Sequence, residues 1–111
     1  MRNMSFAMTT EQVINRTKTV TRRFGWWFLK PGDKVRGVRK ALGLKKGEKI
    51  EPIAEIEILS VSAEPLNAIT KEDCIKEGFP EFEPCDFVNM LTKHYKVEPD
   101  AIINRIEFRY I

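Results

Sequence analysis

The stretch Ile50-Glu51-Pro52-Ile53-Ala54-Glu55-Ile56-Glu57-Ile58-Leu59-Ser60-Val61-Ser62 gives the clearest strand signal in the chain. Ile50, Ala54, Ile56 and Ile58 alternate with Glu51, Glu55 and Glu57. Period-two alternation puts one set against a core and the other in water, so this is a sheet strand with one wet face. Glu64-Pro65-Leu66 closes it.

Toward the C-terminus the period changes. Thr70-Lys71-Glu72-Asp73 opens a helix, with Thr70 as the cap, Asp73 three residues on, and Gly78 as the stop. Pro84 starts another, in which Phe87, Val88, Leu91 and Tyr95 recur at three- and four-residue spacing and form a core-facing stripe. A last strand alternates Ile102, Ile106, Phe108 and Tyr110 with Arg105, Glu107 and Arg109. Toward the N-terminus, Gly43 to Gly47 is a basic loop and Lys34 to Leu42 a half-exposed strand. Lys30-Pro31-Gly32-Asp33 is a turn, and Gly25-Trp26-Trp27-Phe28-Leu29 an aromatic cluster. Met4 to Met8 reads as a short apolar strand. A helix follows it, with Thr9 as N-cap and Gln12 at the return position of a capping box, ending near Arg16. Short strands, about three small helices and little βαβ alternation predict an α+β fold with a small, curled, barrel-like sheet.

The 111 residues are enough for one domain with one core, without disulfides or metal. No apolar run approaches membrane-spanning length, and Met1-Arg2-Asn3-Met4 lacks the apolar segment of a signal peptide. Cys74 and Cys85 match no metal or redox spacing. Both read as small buried hydrophobes, which suits a cytoplasmic protein with reduced thiols. The single histidine, His94, is too little for a His-based metal site or a triad, and suits the end of its helix as a cation. No cofactor is implied, and a monomer is the default. The net charge of +3 hides an asymmetry. Residues 1–50 hold thirteen Lys and Arg against three acids, a net of +10, and the remainder six against thirteen, a net of −7. Such a split predicts a basic surface for phosphates, unless folding interleaves the halves.

Arg16-Thr17-Lys18-Thr19-Val20-Thr21-Arg22-Arg23 resists assignment by period. It holds four cations and three threonines: too many β-branched hydroxyls for a surface helix, and too many charges for a buried strand. It reads either as a solvated basic turn or as a segment leaving a helix and lining a polar cleft. Trp26 and Trp27 beside it are stacking faces for bases or, for at least one of them, core or cleft wall.

Lys18-Thr19-Val20-Thr21-Arg22-Arg23 after a short helix, then Lys30-Pro31-Gly32-Asp33 and a strand, resembles the ASCH domain of the PUA-like superfamily. Ile69-Thr70-Lys71-Glu72-Asp73, Glu77-Gly78-Phe79-Pro80 and Arg105-Ile106-Glu107-Phe108 extend the match in order over nearly the whole chain. The likeness is to small single-domain bacterial and phage members. It implies a β-barrel with flanking helices, a cleft beside the basic motif, and RNA or a modified nucleoside as ligand. Arg16, Thr19, Arg22, Arg23, Trp26, Trp27, Lys45 and Lys46 are the candidate ligand-binding residues. One branch of similar proteins hydrolyses the acetyl amide of acetylcytidine, and there the resemblance implies catalysis by Lys18, Thr21 and Glu77. A lysine of lowered pKa can serve as base and a threonine as nucleophile, with the glutamate orienting the lysine or shuttling a proton. Lys18 and Thr21 point to opposite faces of a regular strand, so this reading requires a bend between them. Glu77 otherwise reads as an exposed residue in a helix's last turn. A two-metal nuclease lacks clustered carboxylates at the basic motif.

Overall fold

The computed structural model describes residues 1–111. Strands β1 (Arg2–Ser5), β2 (Val20–Arg23), β3 (Lys34–Val38), β4 (Pro52–Pro65) and β5 (Ile102–Tyr110) form one sheet in the order β1-β3-β4-β5-β2. The β1–β3 pair is parallel and the other three are antiparallel. Helix α1 (Thr10–Ile14) links β1 to β2, while α2 (Lys71–Lys76) and α3 (Pro84–Tyr95) lie between β4 and β5.

The alternation of the long strand holds: Ile56 and Ile58 are fully buried, and Glu55 is exposed. The strand runs three residues further than expected, through Pro65 at its very end, where the missing N–H breaks no interior ladder. Register shifts at Gly37/Val38 and between Ile58 and Ser60 mark bulges, and bulges bend a sheet and deepen its twist. The sheet therefore curls into a half-barrel, which brings its edge strands β1 and β2 toward each other. Arg23 spans the gap, donating from Nη2 to the Ser5 carbonyl at 2.7 Å and lying 4.8 Å over the Phe6 ring. Gly37 gives that ring room, since a Cβ there would stand 3.3 Å from it.

Two apolar clusters follow from this curl. One fills the half-barrel with Met4, Phe6, Val13, Leu29, Val35, Ile56, Ile58, Ile106 and Phe108. The other joins Leu66, Ile69 and Ile103 to Cys74 on α2 and to Phe87 and Leu91 on α3. Burying each large side chain contributes on the order of 1.5–3 kcal/mol. The predicted stripe on α3 is thus real at Phe87 and Leu91, whereas Tyr95 extends past the core.

Several local expectations are corrected. Only Met4 and Phe6 of the 4–8 stretch turn inward, so β1 begins at Arg2 and the chain turns at Ala7 and Met8. Thr9 makes no capping bond and Gln12 does not return to it. The Thr10 hydroxyl instead donates back to the Phe6 carbonyl, and Gln12 reaches the Gly78 carbonyl. The capping box belongs to α3, where Glu83 and Asp86 bond each other's backbone N–H ahead of Pro84. Thr70 does cap α2, accepting from the Asp73 N–H at 3.2 Å. β3 stops at Val38, because Arg39 and Lys40 turn out toward the loop. Cys74 is buried, but Cys85 is exposed in the first turn of α3. The largest correction concerns residues 20–23, which form a strand with three of its four residues buried. Arg22 is tolerated there because carboxylates distant in sequence meet it, and Arg23 because the Ser5 carbonyl and the Thr21 hydroxyl accept its N–H groups.

Candidate functional site

A cleft of about 720 Å³ opens where the two sheet edges approach each other, with α3 as its far wall. Lys18 and Glu77 lie at its base, each almost fully buried. Local structure explains the meeting. The positive φ of Arg16, 62°, turns the chain out of α1, and the Thr19 N–H then donates to the Lys76 carbonyl at 2.7 Å. That bond lays residue 18 against the end of α2. Gly78 follows at φ 99°, a conformation costly for other residues, and a Cβ there would stand 2.7 Å from Gln12 Cγ. On the opposite side, the Tyr110 hydroxyl donates to the Lys18 carbonyl at 2.5 Å. Lys18 thus lies before β2 begins, so the alternation of a regular strand does not separate it from Thr21, and both line the cleft.

Lys18 Nζ is 2.6 Å from Glu77 Oε1 and 2.9 Å from the Glu77 carbonyl. Arg22 Nη1 takes the other carboxylate oxygen at 3.1 Å. Its Nη2 reaches Asp73 Oδ2 at 2.5 Å and Glu64 Oε2 at 3.2 Å. Arg105 then grips Asp73 with two bonds of 2.7 and 3.1 Å. The result is a continuous chain of charges, Lys18–Glu77–Arg22–Asp73–Arg105.

Burial lowers the Lys18 pKa, opposed by Glu77 and assisted by the positive charge of Arg23 and Arg22. Burial alone would lower Arg22 too, but Glu77 and Asp73 more than offset it and hold it charged. The hydrogen bonds from Arg105, joined by those from Arg22, bring the Asp73 carboxyl down to about 2. The Tyr110 phenol, raised by burial to about 12, remains a proton donor.

Thr21 is buried, and its Oγ1 accepts from Arg23 Nε at 3.1 Å while its own proton has no acceptor in the protein. Lys18, Thr21, Glu77, Arg22, Arg23 and Trp26 therefore converge on one cleft. Arg16 lies outside it, 5.4 Å over the Tyr110 ring, and Thr19 serves through its backbone. Trp27 is half exposed and does not line the cleft, nor do Lys45 and Lys46, which sit on the solvent side of the loop. From that loop Lys40, Ala41 and Leu42 reach the rim instead. Trp26 has φ 60°, a rare conformation for a bulky aromatic, and the preceding turn is held by Asn104 Nδ2 on the Gly25 carbonyl at 3.0 Å. One tryptophan is cleft wall and the other surface.

Other cleft residues escape a reading of the sequence, His94, Tyr95 and Asn3 among them. His94 and Tyr95 line the rim from the last turn of α3, with ring centroids 4.7 Å apart. Helical spacing from Leu91 was the signal for them. Asn3 lines the opposite wall from β1, and nothing in its local sequence marks it. No group of three His, Cys, Asp or Glu side chains is placed to hold a metal ion. No helix is long and apolar enough to cross a membrane.

Solved structures share this architecture. An ASCH domain from Lactobacillus crispatus JV V101 superposes with a TM-score of 0.71 at 15% identity, covering 98% of this chain and 78% of that one. A DUF984-family protein from Enterococcus faecalis V583 gives 0.67 at 15% identity, covering 100% and 76%. No family model and no curated protein matches the sequence. The chain shares the fold of that ASCH-domain structure, a small α+β half-barrel.

Proposed function

We propose that the cleft binds a modified nucleoside, free or within single-stranded RNA whose backbone runs over the basic loop. The observation that carries this reading is the state of the cleft's cations. Lys18 and Arg22 are balanced by carboxylates, and of these cations only Arg23, held by the Ser5 carbonyl and the Thr21 hydroxyl, keeps an uncompensated charge, so the base of the cleft suits a neutral polar group better than a phosphate. Its aromatic walls, Trp26 and Tyr95, offer apolar faces to a base. Phosphates fall to Lys40 at the rim and to Lys45, Lys46 and Lys49 beyond it.

A second reading, hydrolysis of the acetyl amide of acetylcytidine, is favoured by the Lys18 amine. A neutral lysine donating its two protons to Glu77 Oε1 and the Glu77 carbonyl keeps its lone pair free. In this reading that lone pair takes the Thr21 proton as Oγ1 attacks the acetyl carbonyl. The C–N bond then breaks as the proton passes from Lys18 to the leaving exocyclic amine. Water hydrolyses the acetyl-threonine ester, releasing acetate. Arg23 Nε, already on Thr21 Oγ1, stabilises the developing alkoxide.

Titration with cytidine and acetylcytidine, followed by calorimetry and by the ultraviolet change on deacetylation, tests both readings. Saturable binding of either compound is expected, and its absence would remove the nucleoside reading. Turnover that survives Lys18→Met and Thr21→Val unchanged would remove the hydrolytic one. If Lys18 is the base, the rate rises with pH through a value below the ordinary 10.5 of a lysine.

A further inference from the structure

Arg22 is buried on a strand that its backbone ladder to β5 already holds. Burying a charge is costly, and apolar side chains in place of a buried ion pair are often no less stable, so its retention asks for a reason. Its contacts supply one. Glu77 is shared: Oε1 takes Lys18 at 2.6 Å, and Oε2 takes Arg22 Nη1 at 3.1 Å. One carboxylate thus serves two cations, and all three side chains are nearly closed to water.

The two cations are not equal. A guanidinium keeps its charge in proteins, whereas a lysine can lose its proton. Arg22 is also fixed in place. Asp73 and Glu64 hold its Nη2, and Arg105 pins Asp73 with two bonds of its own. Lys18 has no carboxylate but Glu77, and its other contact is the Glu77 carbonyl. Arg22 therefore acts on Lys18 as a like charge that cannot leave, and the lysine is the one to yield. The other groups facing Lys18 do not reverse this. Arg23 adds a second like charge, and Tyr110 from β5, raised to about 12, stays uncharged below that. His94 and Tyr95 of α3 and Lys40 of the loop line the rim, while Lys18 lies at the base. Resting on the hydrolytic reading above, we propose that Arg22 is a positioning residue, which by holding Glu77 Oε2 keeps Oε1 on Lys18 and readies the amine to act as base.

The test follows Lys18 directly. In the full chain carrying isotopically labelled lysine, the Cε resonance that disappears in Lys18→Met reports its protonation as the pH is raised. Wild-type Lys18 should titrate below the ordinary 10.5. Arg22→Met gives Glu77 to Lys18 alone and should raise that midpoint by about 1 or more. Asp73→Asn leaves Arg22 in place, takes away a competing anion, and should lower the midpoint as Arg22 draws harder on Glu77. A folded Arg22→Met whose midpoint stays or falls overturns the proposal, since a merely structural arginine would change the melting temperature and not this midpoint. Where Arg22→Met does not fold, Asp73→Asn decides: a lowered midpoint supports the proposal, and an unmoved or raised one overturns it. The midpoints are read without substrate, so a failure to turn over acetylcytidine removes the hydrolytic reading alone.

Discussion

Residues 18–23 and residues 39–49 are basic to a similar degree, with Lys18, Arg22 and Arg23 in one and Arg39, Lys40, Lys45, Lys46 and Lys49 in the other. The first group is buried or half-buried, and every cation in it has fixed partners. The second is mostly exposed, and its one ion pair, Arg39 with Glu51 at 2.9 Å, lies on the surface. Ion pairs of that kind contribute about 0–1 kcal/mol. Composition does not distinguish the two stretches; their long-range partners do. The partners of Lys18 and Arg22 come from the acidic half of the chain, so the halves interleave where the charge is buried, while the loop's cations face water with one weak exposed pair among them.

Removing a carboxylate from the buried network should have the largest effect. Glu77→Ala leaves Lys18 and Arg22 without their shared anion in a place closed to water, and breaking such a pair costs about 3–5 kcal/mol. Denaturant unfolding should show that loss, whereas Lys45→Ala with Lys46→Ala should stay within about 0.5 kcal/mol of wild type. Similar losses from both changes would show that burial does not separate the regions.

Acid should pick out the same network. The folded Asp73 carboxyl titrates at about 2, below its ordinary 3.8. A depressed value means the contribution is complete above about pH 4 and fades as the pH falls toward 2, about 2 kcal/mol in all. Asp73→Asn should be less stable at neutral pH and should lose less on acidification through that window. A variant whose acid profile matches the wild type's would place the acid-sensitive group elsewhere.

These contrasts also show what a reader of the sequence can and cannot see. β4, β5, α2 and α3 were legible because their burial is periodic and the period is local. β2 was not, because a strand holding Arg22 looks impossible until Glu64, Asp73 and Glu77 are brought to it from more than forty residues away. The same distance hid the burial of Glu77, which reads locally as a surface residue at a helix end. Of the residues lining the cleft, Lys18, Thr21 and Glu77 could be named through resemblance. Asn3 could not, because nothing in its local sequence marks it, and its place in the cleft is a property of the folded chain.

The smallest effect on stability carries the finest distinction between the two regions. If single-stranded RNA crosses the loop, Lys45 and Lys46 each neutralise a phosphate, and each adds about 0.7 to the slope of log affinity against log salt. The double alanine variant should therefore lower that slope by about 1.4 and leave the melting temperature unchanged. Lys18→Met should behave in the opposite way. Its charge is already balanced by Glu77 at 2.6 Å, so it has no counterion to release, and the salt slope should hold even as nucleoside binding in the cleft weakens. Affinities measured from 50 to 200 mM salt would reveal the pattern. A salt slope reduced by Lys18→Met as much as by the loop variant would mean that the buried lysine meets phosphate after all, and that the two basic regions act as one.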